Sequence, residues 1–206
     1  MSTAQLLLVA TAYLLGAIPF GLLITRWLTG KDPREFGSGN IGATNASRTG
    51  GKKVGVLTLA ADIIKGVIPV AIAVQFVNSG TGDEWLIAAT AIAAFLGHIY
   101  PVYLGFKGGK GVATMFGVLI PWQPVAGLIA FAVWLLAIWL FRYVALASML
   151  AGLSLPVAAW LLGAPAPAVY ACMLFCILMT FRHRSNIQRL LAGTENRVGG
   201  SRKCAE

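Results

Sequence analysis

Long apolar runs separated by short polar connectors decide what this chain can fold into. Residues 4–25, 54–77, 85–104, 112–141 and 143–162 are apolar almost throughout, and 166–181 form a shorter last run. A helix that crosses a bilayer needs about 20 such residues. Charged residues make up only 11% of the chain and hydrophobic ones 58%, whereas a soluble domain carries roughly 25% charged residues. The expected fold is an all-α integral membrane protein, with residues 1–195 as one domain and 196–206 as a disordered basic tail. No basic stretch precedes the first apolar run, which argues against a cleaved signal peptide.

The basic residues give this fold an orientation. Of the 16 Lys and Arg, 15 fall in or beside four connectors, at 26–53, 107–110, 142 and 182–203. The remaining one, Lys65, lies inside an apolar run. Residues 1–5, 78–84, 121–124 and 163–167 carry none. Loops that stay in the cytoplasm retain Lys and Arg, so the four basic connectors are expected on one, cytoplasmic face. That outcome requires the 30-residue run 112–141 to be split at Pro121-Trp122-Gln123-Pro124. As a single helix it would put Arg142 and the basic tail on opposite faces. Once split, the chain has seven transmembrane helices, with the N-terminus outside and the C-terminus cytoplasmic. The first piece, 112–120, would rise only about 14 Å, so it is a short or half-span.

The net charge of +9 fits two readings. It can serve topology and attraction to anionic headgroups, or it can recognise an anionic substrate. The charges are split among loops, with no basic helix or aromatic platform, which argues against nucleic acid. Cys172 and Cys176 lie within an apolar run and Cys204 stands alone in the tail, with no zinc-type spacing and no prenylation box. Gly16, Ala17, Gly21, Gly55, Gly66, Gly127 and Gly152 suit close helix packing.

Three polar segments carry the candidate chemistry: 26–53, 97–114 and 182–195. The first contains Gly37-Ser38-Gly39-Asn40-Ile41-Gly42-Ala43-Thr44-Asn45 and then Arg48. Spaced glycines let backbone N–H groups approach an anion, and Arg can grip a phosphate with two parallel bonds. Gly37, Gly39, Asn40, Thr44 and Asn45 are therefore candidate substrate-binding residues, with Ser38 and Arg48 among them. The second reads Gly97-His98-Ile99-Tyr100-Pro101 and then Lys107-Gly108-Gly109-Lys110-Gly111. It is not a nucleotide P-loop, because Leu104 and Gly111 stand where that motif needs Gly and Ser or Thr. A glycine-rich turn with two lysines at a helix start is nonetheless a candidate phosphate cradle. His98 is expected to be structural, bonded to backbone.

The third segment reads Arg182-His183-Arg184-Ser185-Asn186-Ile187-Gln188-Arg189-Leu190-Leu191, leading to Glu195. The spacing of Ile187, Leu190 and Leu191 predicts a short amphipathic helix on the membrane surface. On a helix, His183 and Asn186 share a face, and His183 could donate to an oxyanion or move a proton. Asp62 and Lys65, three residues apart inside the second span, are expected to pair as structural support, since each is costly alone in lipid.

In these three segments the chain resembles the acyl-phosphate-dependent glycerol-3-phosphate acyltransferases of bacteria. The strings that carry the resemblance are Gly-Ser-Gly-Asn-Ile-Gly-Ala-Thr-Asn at 37–45 with Arg48, Gly-His-x-x-Pro with Phe-Lys-Gly-Gly-Lys-Gly over 97–111, and Arg-His-Arg-x-Asn-Ile-x-Arg-Leu-Leu-x-Gly-x-Glu at 182–195. The resemblance implies a seven-span enzyme of the bacterial inner membrane with its active site on the cytoplasmic face. It implies acyl phosphate and sn-glycerol 3-phosphate as substrates, lysophosphatidic acid and inorganic phosphate as products, and no metal or cofactor. Membrane lipid, an upstream enzyme that makes acyl phosphate and a downstream acyltransferase would be its partners. It assigns Ser38, Arg48, His183 and Asn186 to the reacting centre and Lys107 to holding glycerol phosphate. Gly108, Gly109, Lys110 and Gly111 fall in the second phosphate loop, and Glu195 anchors the third segment. Acyltransferases that use His-x-x-x-x-Asp are excluded, because Tyr103 and Gln188 stand at the Asp position. Metal-dependent phosphatidyl-alcohol transferases need clustered aspartates, and Asp32, Asp62 and Asp83 are scattered. A transporter of organic phosphates is the remaining alternative. It would place its cationic site near the midplane, whereas the polar segments here share one face.

Overall fold

The computed structural model describes residues 1–199, whose regular structure is helical. Helix α1 (Thr3–Ala17) opens on a reciprocal cap, in which the Ser2 hydroxyl accepts the Gln5 N–H and the Gln5 amide oxygen accepts the Ser2 N–H. It stops at Ile18-Pro19, because proline has no N–H to donate and disfavours helix at the residue before it. Helix α2 (Phe20–Thr29) resumes the path, so α1 and α2 together form one candidate span, Thr3–Thr29, interrupted at Ile18-Pro19. Helix α3 (Ala43–Gly50) leads into the long α4 (Lys52–Asn78). Helix α5 (Glu84–Ile99), capped by Asp83, ends just ahead of Pro101. Then follow α6 (Val112–Trp122), α7 (Pro124–Phe141), α8 (Val144–Leu161), α9 (Ala166–Arg182) and α10 (Arg184–Leu191).

Five segments are long and apolar enough to cross a membrane, or six if the bent α9–α10 pair is one span, and α6 is a shorter apolar helix of 11 residues. The break in the 112–141 run falls at Gln123, with Pro121 and Trp122 still inside the last turn of α6. The chain turns back there. A Cβ on Gly127 would stand 3.2 Å from the Leu119 Cβ, whereas eight residues of straight helix span about 12 Å. The Trp122 indole N–H donates to Glu84 at 2.9 Å, which ties the end of α6 to the start of α5.

Two glycine crossings set the tightest helix contacts. A Cβ on Gly16 would stand 2.2 Å from the Ala94 carbonyl oxygen, and one on Gly97 would stand 2.3 Å from that of Tyr13, so α1 and α5 touch backbone to backbone. Gly66 and Gly117 do the same between α4 and α6, against Thr114 and Ile63. In lipid there is little hydrophobic drive for helices to pair, and such close approach supplies the packing instead. Phe95 and Phe175 pack inside the bundle with ring centroids 4.6 Å apart and their planes tilted by 49°. The outer surface is the reverse of a soluble protein's, with Trp139, Trp160 and Leu128 each more than two-thirds exposed.

Asp62 and Lys65 pair inside the bundle at 2.9 Å, and the Lys65 ammonium also donates, at 3.0 Å, to the carbonyl of Ile18 at the α1–α2 break. The side chain of His98 is not bonded to backbone as expected. Its Nδ1 faces the Asp62 carboxylate at 3.6 Å. Part of the tail expected to be disordered lies within the described range. Val198 donates its N–H to the Arg142 carbonyl at 2.7 Å, and its own carbonyl accepts from the Arg142 guanidinium. The rest of that tail, with Cys204, lies outside the described residues.

Candidate active site

The first segment is built around two buried side chains. Asp32 accepts from the Arg34 backbone at 2.9 Å, from the Arg34 guanidinium at 2.7 Å and from Arg26 at 2.6 Å. The Arg34 bond holds its carboxyl well below the usual range, and Arg26 adds to this. Asn45, on the first turn of α3, is the keystone. Its amide NH2 donates to the carbonyls of Pro33, Phe36 and Asn40 at 2.6, 3.0 and 2.8 Å, and its oxygen accepts the Ser38 N–H at 2.9 Å. Gly37 has a positive φ of 60°, and a Cβ there would strike the Asn45 oxygen. These bonds fold residues 36–40 into a loop that presents Ser38.

The second segment is fastened from two sides. Gly108 and Gly109 donate their N–H groups to the carbonyls of Ile99 and His98, at 3.2 and 3.0 Å. Their own carbonyls accept from the Arg182 guanidinium, at 2.7 and 3.2 Å. Gly111, at φ 87°, turns the chain into α6, and a Cβ there would collide with the Phe95 ring. Between the fixed glycines and the helix, Lys110 is left to project. Its amine donates to the Asn186 side-chain oxygen. Burial lowers its pKa to about 8 against the opposing pull of Glu195.

The third segment bends by 57° between α9 and α10, with His183 at the corner. His183 Nδ1 lies 2.8 Å from the Met179 carbonyl. A carbonyl can only accept, so Nδ1 carries the proton and Nε2 presents a lone pair. Burial, with Lys110 next, pushes the His183 pKa down to about 4, which keeps the ring neutral near pH 7. Asn186 donates to both Glu195 oxygens at 3.1 Å, and Arg189 donates to Glu195 at 2.8 Å. Glu195 thus orients Asn186, which in turn holds Lys110.

The three segments converge on one polar cavity of ≈ 170 Å³, walled by Ser38, Asn40, Lys110, Arg182, Arg184, Ser185 and Arg189. Four of these seven side chains are cationic types, a composition that suits a multiply charged anion. Arg48 lies close by, with its Cδ 4.0 Å from the position a Cβ on Gly37 would occupy, and it acts electrostatically on Lys110. His183 and Asn186 are buried beside the cavity, His183 in the chain between the wall residues Arg182 and Arg184 and Asn186 against Lys110.

Several expected roles change. Asn45 is spent on the loop and has no free donor for a ligand, so it is a scaffold residue. The N–H groups of Gly108 and Gly109 are tied to α5 and do not cradle a phosphate. Gly37 and Gly39 supply left-handed turns. Thr44 and Lys107 are exposed and lie outside the cavity wall. Conversely, Arg182, Arg184, Ser185 and Arg189 line the cavity without having been singled out. Arg182, Ser185 and Arg189 recur at helical spacing, and that was the available signal.

Comparisons with known proteins identify the family. The family model described as "Glycerol-3-phosphate acyltransferase" matches residues 6–193. A protein of that name from Syntrophotalea carbinolica is 47% identical over 195 residues, covering 95% of this chain and 98% of its own length. Another from Agrobacterium fabrum is 46% identical, covering 96% of this chain and 95% of its own. Among solved structures, the glycerol 3-phosphate form of PlsY, an integral membrane glycerol 3-phosphate acyltransferase, superposes with a TM-score of 0.90 at 46% identity. That match covers 95% of this chain and 96% of PlsY. The lysophosphatidic acid form of the same enzyme gives a TM-score of 0.87 at 44% identity, with the same coverage.

Proposed function

The chain belongs to the glycerol-3-phosphate acyltransferase family, and from that premise we propose that it moves a fatty acyl group from acyl phosphate to the 1-hydroxyl of sn-glycerol 3-phosphate. The observation that carries the proposal is the cationic cavity where the three segments meet. Both substrates bring a phosphate to one small site, and the products are lysophosphatidic acid and inorganic phosphate. PlsY has been solved with forms named for glycerol 3-phosphate and lysophosphatidic acid, which supports the acceptor and the product.

The hydroxyl oxygen attacks the acyl carbon, a new C–O ester bond forms, and the bond from the acyl carbon to the phosphate oxygen breaks. Lys110, Arg182, Arg184, Arg189 and Arg48 hold the phosphates and stabilise charge that gathers on the leaving group. Ser38 sits at the mouth of the loop that Asn45 holds, within reach of the reacting atoms. His183 Nε2 accepts a hydrogen bond from the attacking hydroxyl and orients it. Its lowered pKa makes it a weak base, so the hydroxyl proton ends on the departing phosphate, the stronger base. Most of the rate then comes from positioning two reactants, and no metal takes part.

The bias of Lys and Arg to these segments supports a site on the cytoplasmic face of a bacterial inner membrane. We read the path as seven crossings, with α6 the short one, residues 1–195 as one domain, and the N-terminus outside. Purified protein should release inorganic phosphate only when acyl phosphate and glycerol 3-phosphate are both present, and a metal chelator should have no effect. Equal activity with an acyl thioester donor would overturn the donor assignment.

A further inference from the structure

Behind the cavity, inside the bundle, lies a buried polar cluster that touches no substrate in this mechanism. Asp62, Lys65 and His98 are 2%, 2% and 4% exposed. The His98 ring stands between this cluster and the second segment. On one side its Nδ1 faces Asp62 Oδ1 at 3.6 Å, and Asp62 is itself held by Lys65 at 2.9 Å. On the other side the ring lies flush against Gly109. A Cβ built on Gly109 would come within 2.0 Å of His98 Nε2, 2.8 Å of Cε1 and 2.9 Å of Cδ2, all atoms of that one ring. The His98 carbonyl also accepts the Gly109 N–H at 3.0 Å. From the opposite direction Arg182 holds the carbonyls of Gly108 and Gly109. The two glycines are therefore clamped between an arginine and an imidazole, and the next residue is Lys110.

We propose that His98 is a positioning residue for this reaction. Its ring, lodged between Asp62 and the second segment, sets the height of Gly109 and so fixes where Lys110 enters the anion cavity. The Asp62–Lys65 pair thereby acts on the site without touching it. A close-packed interior transmits such a displacement, because there is no slack to absorb it, and a misplacement of about 1 Å can cost about 100-fold in rate. The proposal rests on the cavity being the substrate site.

The test uses the fact that the three atoms nearest to a Cβ on Gly109 all belong to the His98 ring. Catalytic efficiency is measured on folded, monodisperse His98→Ala, Gly109→Ala and the double variant, and calorimetry gives the affinity of each for inorganic phosphate. His98→Ala alone should lose about tenfold in efficiency and Gly109→Ala about 100-fold. The double variant should recover at least about tenfold over Gly109→Ala, so that a harmful change becomes helpful once the clash exists. Phosphate affinity should follow the same order, which keeps the test valid if the wild type shows no acyl transfer. That last result would defeat the functional reading alone. Losses that simply add, or a His98→Ala variant equal to wild type, would overturn the positioning role. So would the failure of both His98→Ala and His98→Asn to yield folded protein, since His98 would then hold the bundle rather than the loop.

Discussion

Asn45→Asp separates a residue that builds the site from one that touches substrate. The side chains have the same shape, so packing is preserved. In the wild type the amide NH2 of Asn45 satisfies three carbonyls, at 2.6, 3.0 and 2.8 Å, and the side-chain oxygen takes the Ser38 N–H at 2.9 Å. An aspartate keeps the last bond and loses both N–H donors that the three carbonyls share, and it sets an anionic oxygen among three carbonyl oxygens. Each lost bond is worth about 0.5–1.5 kcal/mol net. Water can replace part of this at Phe36 and Asn40, so about 1.5–3 kcal/mol is the expected loss to the loop. At 1.4 kcal/mol per decade, the fraction of chains holding Ser38 in place falls by about 10- to 150-fold. The assay is steady-state acyl transfer on detergent-purified protein that still elutes as a single folded species. Activity within about twofold of wild type would refute the scaffold role, because a change smaller than one hydrogen bond cannot reflect loss of both donors.

Other outcomes follow from the same geometry. Lys110 must be charged to hold a phosphate, and its pKa is lowered to about 8. Efficiency should therefore fall as pH rises through about 8, and Lys110→Arg should move that limb upward. A pH profile unchanged by that substitution would count against it. Glu195→Gln weakens the pair with Arg189 and the grip on Asn186. Kinetics should show at least about a tenfold loss of efficiency, from charge-assisted bonds of about 1.5–3 kcal/mol. A cysteine placed at Thr81 should be labelled by an impermeant thiol reagent from outside the cell, and labelling only after permeabilisation would reverse the topology.

The membrane architecture was legible because it depends on composition. The run 54–77 became α4, and the Pro-Trp-Gln-Pro signal marked a real reversal, with the break at Gln123 inside it. The break at Ile18-Pro19 was overlooked within an otherwise apolar run, although Pro19 announced it. The site was legible as three segments but not in its division of labour. Residue type shows that Gly108 and Gly109 permit close approach. It does not show that their N–H groups are already taken by the end of α5, since those carbonyls become free only where Pro101 stops the helix. Asn45 looks like a ligand donor until the carbonyls of Pro33, Phe36 and Asn40 are seen to surround it. The contact between His98 and Asp62 joins two helices and has no periodicity within either.

The central claim is acyl transfer from acyl phosphate to glycerol 3-phosphate, with cleavage at the acyl carbon. It is tested most directly with acyl phosphate carrying oxygen-18 in the bridging position, followed by phosphorus NMR during turnover with glycerol 3-phosphate. Attack at the acyl carbon sends the bridging oxygen away with the phosphate. The account predicts that all released inorganic phosphate carries the label and that lysophosphatidic acid carries none. Unlabelled phosphate, with the label left on a free fatty acid, would mean cleavage at phosphorus and would contradict it.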